Sequence, residues 1–149
     1  MKKILLIILL TLTSSTTALA APFEYEVCNL GWKHVHHKYK EEIYQNIWCT
    51  KHDGIKEYEN KDLTRVDCLT KTHAIEFDFA NKWAESVGQA LHYAIMTNKK
   101  PKVVLILDNP KSQMIYYKRL KRIGKKYNID TEYITNKILK SNDLKLSTP

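Results

Sequence analysis

The sequence predicts an α/β fold in which a mixed β-sheet is flanked by helices. Three short strand patterns follow one another between residues 55 and 80, separated by turn signals. A helical pattern comes next, and then the continuously apolar run Lys102 to Leu107. A strand that is apolar at every position is buried on both faces, so this run is expected at the centre of the sheet or parallel to its neighbour.

The first element is predicted as a helix at residues 37–52. Apolar and aromatic side chains recur on one side at helical spacing: Tyr39, Ile43, Tyr44, Ile47 and Trp48. The other side is polar and carries Glu41, Glu42, Gln45 and Asn46. The helix is therefore expected to pack on the sheet through its aromatic side and to leave its polar side in water.

Three strands are predicted after this helix, at residues 55–60, 64–70 and 72–80. Asp53-Gly54 and Lys61-Asp62 supply the turns that precede the first and second strands. Successive residues of a strand point to opposite faces. In the third strand this places Ile75, Phe77 and Phe79 on one face, and Glu76 and Asp78 on the other.

A second helix is predicted at residues 81–97, with Asn81 as its N-cap. At 100° per residue its side chains form two arcs. One arc is expected to pack on the core and contains Trp83, Val87, Ala90, Leu91 and Ala94. The other arc is mostly polar and contains Lys82, Glu85, Gln89, Tyr93 and Met96. A third helix at 111–128 and a strand at 130–135 complete the order α-β-β-β-α-β-α-β.

Residues 1–20 have the pattern of a secretory signal peptide. Lys2 and Lys3 form a charged start, the apolar run Ile4 to Leu12 follows, and Ala18-Leu19-Ala20 matches an A-x-A cleavage site. The alternative is an uncleaved anchor helix, but the run is short for a bilayer. We therefore expect cleavage after Ala20, a secreted or periplasmic protein without stable membrane insertion, and a single domain at residues 21–149.

Three cysteines, Cys28, Cys49 and Cys68, allow one disulfide within an exported chain. Cys49 ends the first helix, and Cys68 lies in mid-sheet near the place where that helix should pack. We therefore favour a Cys49–Cys68 bridge that leaves Cys28 free, and Cys28–Cys49 is the alternative. Cys68 should point away from the face that carries Asp67, so the bridge would lie behind that face.

The net charge of +8 becomes +6 when Lys2 and Lys3 are removed with the signal peptide. Such a charge suits an anionic partner, either nucleic acid, lipid headgroups or an acidic polymer. The third helix is crowded with cations: Lys118, Arg119, Lys121, Arg122, Lys125 and Lys126. They are expected either to grip phosphates or to form an ordinary solvated face. His34, His36 and His37 are interpreted as a solvated lead-in or a transition-metal site.

Carboxylates converge on the paired second and third strands. Asp67 lies on one strand, and Glu76 and Asp78 share a face of the other. Converging acids repel each other unless a cation lies between them. A few oxygen ligands that leave room for water suit Mg²⁺ or Mn²⁺. The alternative is an exposed sheet face whose acids pair with lysine or arginine.

Lys82 stands four residues after Asp78, at the start of the second helix. The helix macrodipole disfavours a cation at this end. A lysine in this place is therefore interpreted as a catalytic group that polarises an attacking water or stabilises a pentavalent phosphate.

Three segments of the chain form a motif: "VD" (Val66-Asp67), "EFDFANK" (Glu76 to Lys82) and "QALHY" (Gln89 to Tyr93). Together they resemble the PD-(D/E)xK nuclease superfamily, the fold of many restriction enzymes and Holliday-junction resolvases. The Gln-x-x-x-Tyr spacing is similar to that of the RecB-type exonuclease branch. The order α-β-β-β-α-β over residues 37–107 is similar to the superfamily core. The chain also resembles a group of small exported bacterial proteins of unassigned activity.

The resemblance implies a restriction-endonuclease-like fold and a site for Mg²⁺ or Mn²⁺. Asp67 and Glu76 would be the metal ligands, and Glu41, favoured over Glu42, would complete the site from the first helix. Gln89 and Tyr93 would hold the metal-site geometry or the DNA backbone. The lysine of the motif should stand at position 78, where this chain has Asp78. In some members of the superfamily that lysine has moved to the adjacent helix, and Lys82 would be its substitute here.

Two functions follow from the resemblance. The first is a metal-dependent nuclease that acts on nucleic acid, DNA in the first place, outside the cytoplasm. The second is a catalytically inactive protein of the same fold that serves as a nucleic-acid-binding or envelope-associated module.

Overall fold

The computed structural model of the chain describes residues 37–139. The predicted signal peptide, Cys28, His34 and His36 lie outside these residues. The helices are α1 (Glu41–Lys51), α2 (Trp83–Thr97) and α3 (Pro110–Tyr127). The strands are β1 (Ile55–Glu59), β2 (Arg65–Leu69), β3 (His73–Phe79), β4 (Lys100–Leu107) and β5 (Asp130–Thr135). Short 3₁₀ turns cover Ala80–Lys82 and Asn136–Leu139. The predicted order of helices and strands is confirmed.

The five strands form one mixed sheet in the order β1-β2-β3-β4-β5. The first three strands are antiparallel neighbours, whereas β4 is parallel to both β3 and β5. Alternate residues of β4 enter two different core clusters, with Val104 and Ile106 in one and Val103, Leu105 and Leu107 in the other. The prediction of a buried strand that is either central or parallel to its neighbour is therefore confirmed, because β4 is an inner strand parallel to both neighbours.

Helices cover both faces of this sheet. Tyr44 and Trp48 of α1 pack on the cluster that contains Phe77 and Val104. Ala90 of α2 and Leu120 of α3 pack on the opposite cluster, which contains Val103 and Leu105. The fold is therefore of the predicted α/β class, with α1 on one side of the sheet and α2 and α3 on the other. No helix within residues 37–139 is long and apolar enough to span a membrane.

Helix α1 begins at Glu41, four residues later than predicted, and it packs with a different rotation. Ile43, expected in the core, is 41% exposed, whereas Gln45, expected in water, is 6% exposed. The reason lies in Cys49, which must face β2 to bond Cys68. Gln45 lies one turn before Cys49 on the same side of the helix, and so it is carried into the interface.

The disulfide between Cys49 and Cys68 is present, with 5.7 Å between the two Cα atoms, and the pairing that we favoured is confirmed. It ties the end of α1 to the middle of β2. The turn between α1 and β1 passes directly over it, since a Cβ atom at Gly54 would lie 2.6 Å from the Cys49 sulfur. Glycine is therefore the residue that this close approach requires.

Helix α2 also departs from its prediction. The chain leaves β3 through the 3₁₀ turn Ala80–Lys82, so the helix begins at Trp83 with Lys82 in the cap position, and Asn81 is not the N-cap. Leu91, expected in the core, is partly exposed, whereas Tyr93 is 8% exposed and packs with Val66 and Ala74. Helix α2 packs across β2 as well as β3 and β4, and this packing buries the side of α2 that carries Tyr93.

Candidate active site

A fork between β2 and β3 forms the base of the candidate site. The two strands pair only at Cys68↔Ile75 and Leu69↔Ala74, although both continue beyond these positions. Beyond the paired residues the backbone N–H of Phe77 donates a hydrogen bond to Asp67 Oδ2, at 2.7 Å. The carboxylate of Asp67 therefore takes the place of a backbone acceptor, and it lies where the two strands separate.

The pleat of β2 is irregular at this point. In a regular strand Val66 and Cys68 would share a face. Here Cys68 belongs to the core under α1, whereas Val66 packs with Tyr93 of α2. The irregularity opens the sheet beside Asp67, so that groups from both helical layers can reach the fork.

Glu76 and Asp78 of β3 are buried, with 4% and 3% of their surface exposed. Their partners on β4 are Val103 and Leu105, which belong to the core under α2 and α3. Both carboxyl groups therefore lie on the α2 side of the sheet. The alternative of a solvated sheet face with exposed acids is excluded for these two residues.

Glu41 approaches from the start of α1. Burial is the largest cause that raises its pKa, to about 8, and the charges of Asp78 and Asp67 raise it further. The neighbouring Glu42 is exposed. The structure thus brings Glu41, and not Glu42, to the fork. We call the four carboxyl groups of Glu41, Asp67, Glu76 and Asp78 the acidic cluster.

Every member of the acidic cluster has a raised pKa, and burial is the largest cause in each case. Burial raises the pKa of Asp78 to about 6. The rise is no larger because the cation of Lys82 and a hydrogen bond from the Phe79 backbone offset part of it. For Glu76 the charges of Asp67 and Asp78 add to the effect of burial, and the pKa of Asp67 is raised by burial as well. Without a bound metal ion, the acidic cluster therefore retains protons near neutral pH.

Lys82 reaches the acidic cluster. Its Nζ lies 3.6 Å from Asp78 Oδ1, and about half of its side chain is exposed. The charge of Asp78 is the largest cause that raises the pKa of Lys82. The lysine is therefore protonated at neutral pH and presents a cation to solvent at the edge of the cluster. Such a group can stabilise negative charge but cannot take up a proton.

Gln89 and Tyr93 lie on the α2 side of the cluster. Burial, followed by the charge of Glu76, raises the pKa of Tyr93 to about 12, so its hydroxyl stays neutral and can donate a hydrogen bond. Oε1 of Gln89 and Oε2 of Glu76 are buried without a hydrogen-bond partner among residues 37–139. Unsatisfied buried acceptors are costly, and a bound cation or donor would remove that cost.

The acidic cluster offers oxygen donors for a metal ion. Within residues 37–139 no group of three or more His, Cys, Asp and Glu side chains is placed to hold a metal ion. Mg²⁺, however, commonly keeps several waters and binds through one or two carboxylates. Asp67 and Glu76 supply two such groups, and the free Oε2 of Glu76 supplies an acceptor without a partner. The donor set therefore fits a hydrated divalent ion.

Glu57 is a further acid at the fork that sequence reasoning missed. It lies level with Asp67, between the pairs Lys56↔Cys68 and Tyr58↔Val66, and its charge raises the pKa of Asp67. Its φ of 49° is unusual for a residue other than glycine. The regular alternation of "IKEYE" conceals this kink. The available signal was that an acid faces an acid across a predicted hairpin.

The raised pKa values predict that the metal-free protein loses stability as pH rises. Acids whose folded-state pKa lies above the unfolded value favour folding while protonated, and the benefit disappears as pH passes from about 4.5 toward 8. We expect the melting temperature in EDTA to fall by several degrees between pH 5 and pH 8. Calorimetry at each pH measures it.

A matched variant separates the contribution of Glu76 from that of the rest of the chain. Glu76→Gln removes one carboxyl group whose pKa is raised and leaves every other titratable group in place. The melting temperature of the variant should fall less steeply with pH than that of the wild type. Parallel curves for the variant and the wild type would contradict the assignment.

Comparisons with protein-family models, with curated proteins and with solved structures found no match. The α/β class and the five-stranded mixed sheet therefore rest on the structure of the chain itself. The resemblance to PD-(D/E)xK nucleases stays a prediction from the segments around Asp67, Glu76 and Gln89.

Proposed function

We propose that this chain is a metal-dependent phosphodiesterase that hydrolyses nucleic acid outside the cytoplasm, with DNA as the favoured substrate. One observation carries the proposal. Two carboxyl groups, the buried Glu76 and the half-buried Asp67, meet at the fork between β2 and β3, beside the protonated Lys82. Buried acids that a cation would relieve, next to a lysine open to solvent, form a combination suited to phosphoryl chemistry.

The arrangement of the elements supports a restriction-endonuclease-like fold as part of this proposal. Strands β1, β2 and β3 form an antiparallel meander, α2 crosses over, and β4 returns parallel to β3. Helix α1 packs on the opposite face and carries Glu41 to the fork. This is the α-β-β-β-α-β order that the resemblance implies, and α3 and β5 extend the same sheet.

Asp67 and Glu76 would hold the Mg²⁺ or Mn²⁺ ion. The ion, when bound, would supply a Lewis acid toward the phosphate and lower the pKa of water. Glu41 and Asp78 add negative charge around this place, and an ion would favour their ionised forms.

The chain's own groups would do the remaining work. Lys82, held by Asp78, would stabilise the negative charge that develops on the phosphoryl oxygens. The neutral hydroxyl of Tyr93 lies within reach of the charge of Glu76, and the side chain of Gln89 lies beside that hydroxyl, so the two would orient the carboxyl group of Glu76. These two residues are thus positioning residues, whereas Lys82 is the candidate catalytic residue.

Two features support action outside the cytoplasm. The N-terminal segment has the pattern of a signal peptide. The Cys49–Cys68 disulfide is of a kind that persists in oxidising compartments and is rare in the cytosol.

A second candidate function is a protein of the same fold that binds nucleic acid without cutting it. The observation that favours it is Asp78, an acid at the position where the motif has its lysine. In that case the ion pair between Lys82 and Asp78 would be structural and would neutralise a buried acid.

Lys82→Ala distinguishes the two functions. We expect the wild-type protein to degrade plasmid DNA with Mg²⁺ or Mn²⁺ and not in EDTA. The variant should lose about 10²-fold or more in rate, the usual cost of removing a group that stabilises transition-state charge. Its Mn²⁺ affinity, measured by titration calorimetry, should fall by less than about tenfold, because Lys82 is not a ligand.

Lys61→Ala serves as the matched control, because Lys61 is an exposed lysine on the turn between β1 and β2. Its cleavage rate should equal that of the wild type. A wild-type protein that cuts neither DNA nor RNA with any divalent ion would favour the second function. Unchanged cleavage by Lys82→Ala would refute the catalytic role of this lysine.

A further inference from the structure

The positive charge of the described chain is concentrated on one helix. Residues 37–139 contain nineteen Lys and Arg against thirteen Asp and Glu. Helix α3 alone carries seven of these cations and no acid: Lys111, Lys118, Arg119, Lys121, Arg122, Lys125 and Lys126. Without α3, twelve cations stand against thirteen acids. The excess of positive charge is therefore a property of α3 and not of the surface in general.

Four of these cations form a stripe on the outer side of the helix. Lys118, Lys121, Arg122 and Lys125 are spaced three and four residues apart and line one shallow groove. All four are exposed. None of them forms an ion pair with a carboxylate within residues 37–139. We call these four residues the cationic stripe.

The stability of the helix does not explain the cationic stripe. Cations in the last turn favour a helix through its macrodipole, and this accounts for Lys125. Lys118, Lys121 and Arg122 lie further back, where the macrodipole has little effect. Like charges three or four residues apart destabilise a helix by a few tenths of a kcal/mol per pair. An uncompensated stripe therefore has a small cost in the free protein, and an anionic partner would remove it.

We propose that the cationic stripe is a docking surface for the phosphate backbone of duplex DNA. The four side chains are cations without an aromatic ring among them, whereas single-strand binding surfaces combine cations with rings that stack on bases. Contacts with backbone phosphates need only lysine and arginine placed along one line. The stripe thus fits a charged backbone read without base contacts.

A membrane surface is the other polyanion to consider. Helices that lie in a lipid interface insert an apolar side among the acyl chains. The apolar side of α3 is already used, because Leu120 and Ile123 pack on the core with Val103 and Leu105. Outside, α3 exposes its seven cations, and the exposed large apolar or aromatic side chains of this helix are two, Ile115 and Tyr127. Anionic lipid is therefore the less favoured partner, and the experiment below includes it.

The stripe lies on the same side of the sheet as Glu76 and Asp78, whereas Glu41 reaches the acidic cluster from α1 on the other side. Helix α3 packs against the 3₁₀ turn that carries Lys82, and Glu76 and Asp78 face the same helical layer. A duplex held along α3 would thus pass on the side from which Lys82 is reached. The inference shares the nucleic-acid partner of the proposed function, but it requires neither metal nor cleavage.

The test is DNA binding in EDTA, where cleavage is excluded. Fluorescence anisotropy with a labelled 20-base-pair duplex is measured from 50 to 300 mM NaCl. The stripe variant combines Lys118→Gln, Lys121→Gln, Arg122→Gln and Lys125→Gln. It should bind at least tenfold more weakly at 100 mM NaCl. Its log–log salt slope should be shallower by about 3 to 4, since each phosphate contact contributes about 0.9.

The matched control removes the same charge elsewhere, by Lys51→Gln, Lys56→Gln, Lys61→Gln and Lys71→Gln, all at exposed positions. It should bind within threefold of the wild type with an unchanged slope. Equal losses in both variants would show that only net charge matters, and this result would overturn the inference. Circular dichroism checks that each variant folds. A smaller variant with Lys121→Gln and Arg122→Gln should show about half of the change in salt slope, because it removes two of the four cations.

Three further outcomes also decide whether the inference holds. Tight binding of the wild type to phosphatidylserine vesicles, without binding to the duplex, would assign the stripe to a membrane and overturn the inference. Metal-dependent cleavage that survives in the stripe variant with unchanged duplex affinity would overturn the inference and leave the proposed function standing. Duplex binding lost in the stripe variant, in a wild-type protein that cuts nothing, would support the inference while the proposed function fails.

Discussion

Replacement of Glu76 by glutamine is expected to abolish Mn²⁺ binding and nucleic-acid cleavage together while the fold is retained. The side chain is buried, its Oε2 has no partner within residues 37–139, and burial together with Asp67 and Asp78 raises its pKa. Glutamine has nearly the shape of the protonated acid, so the packing is preserved. A neutral amide cannot offer the negative charge that a divalent ion selects.

We expect the cleavage rate of Glu76→Gln to fall by at least about 10²-fold, on the scale seen when one charge-stabilising group is lost from an active site. The heat of Mn²⁺ binding in titration calorimetry should disappear. The melting temperature in EDTA at pH 8 should equal or exceed that of the wild type, because the amide does not resist burial as an ionised acid does.

The matched control for this prediction is Glu42→Gln, since Glu42 is an exposed glutamate on α1 next to Glu41. Its Mn²⁺ affinity and cleavage rate should equal those of the wild type. A Glu76→Gln protein that binds Mn²⁺ as the wild type does would refute the metal assignment. A variant that binds the ion but cannot cut would move Glu76 from the ligands to the catalytic groups.

Removal of the Cys49–Cys68 disulfide is expected to be the largest single loss of stability. The two cysteines are 19 residues apart, and the bridge closes a loop that contains the end of α1 and all of β1. A loop of this size corresponds to about 3 kcal/mol in the chain-entropy account of disulfides. For a domain of about 100 residues each kcal/mol moves the melting temperature by at least roughly 4 °C. The variant with Cys49→Ala and Cys68→Ala should therefore melt more than about 10 °C lower.

The same variant should also weaken the candidate site. Helix α1 carries both Cys49 and Glu41, so a loosened helix no longer holds Glu41 at the fork. We expect Mn²⁺ affinity to fall together with the melting temperature. Urea denaturation of oxidised wild type, reduced wild type and the variant supplies the comparison, and the last two should agree. A variant as stable as the oxidised wild type, or peptide mapping that finds Cys28 in the bridge, would contradict the prediction.

Local patterns in the sequence were sufficient for the elements and their order. Turn residues such as Asp53-Gly54, the alternation in β3 and the apolar run of β4 depend on neighbours a few positions away. For the same reason the division of β3 into two faces was predicted correctly, and the structure places Phe77 on the α1 side and Glu76 on the α2 side. The Cys49–Cys68 pairing followed from the place where α1 packs.

The rotation of the helices could not be predicted in this way. Helices α1 and α2 both carry large apolar or aromatic side chains on more than one side, and which of these side chains is buried depends on what lies opposite the helix. The disulfide selected the side of α1 that buries Gln45 and exposes Ile43. The packing of α2 across β2 selected the side that buries Tyr93 and leaves Leu91 partly exposed.

The sequence by itself supplied the candidate residues of the site. Asp67, Glu76 and Lys82 follow from their places on the predicted strands and helix, because residue order and spacing are local, whereas Glu41, Gln89 and Tyr93 come from the resemblance. Only the tertiary structure decided that β2 and β3 separate beyond Ile75, that Asp67 bonds the Phe77 backbone, and that Glu57 adds its charge at a kink. These features depend on strand pairing and on burial, which join residues distant in sequence. The raised pKa values are likewise tertiary properties, because a carboxyl group loses water only when the rest of the chain folds around it.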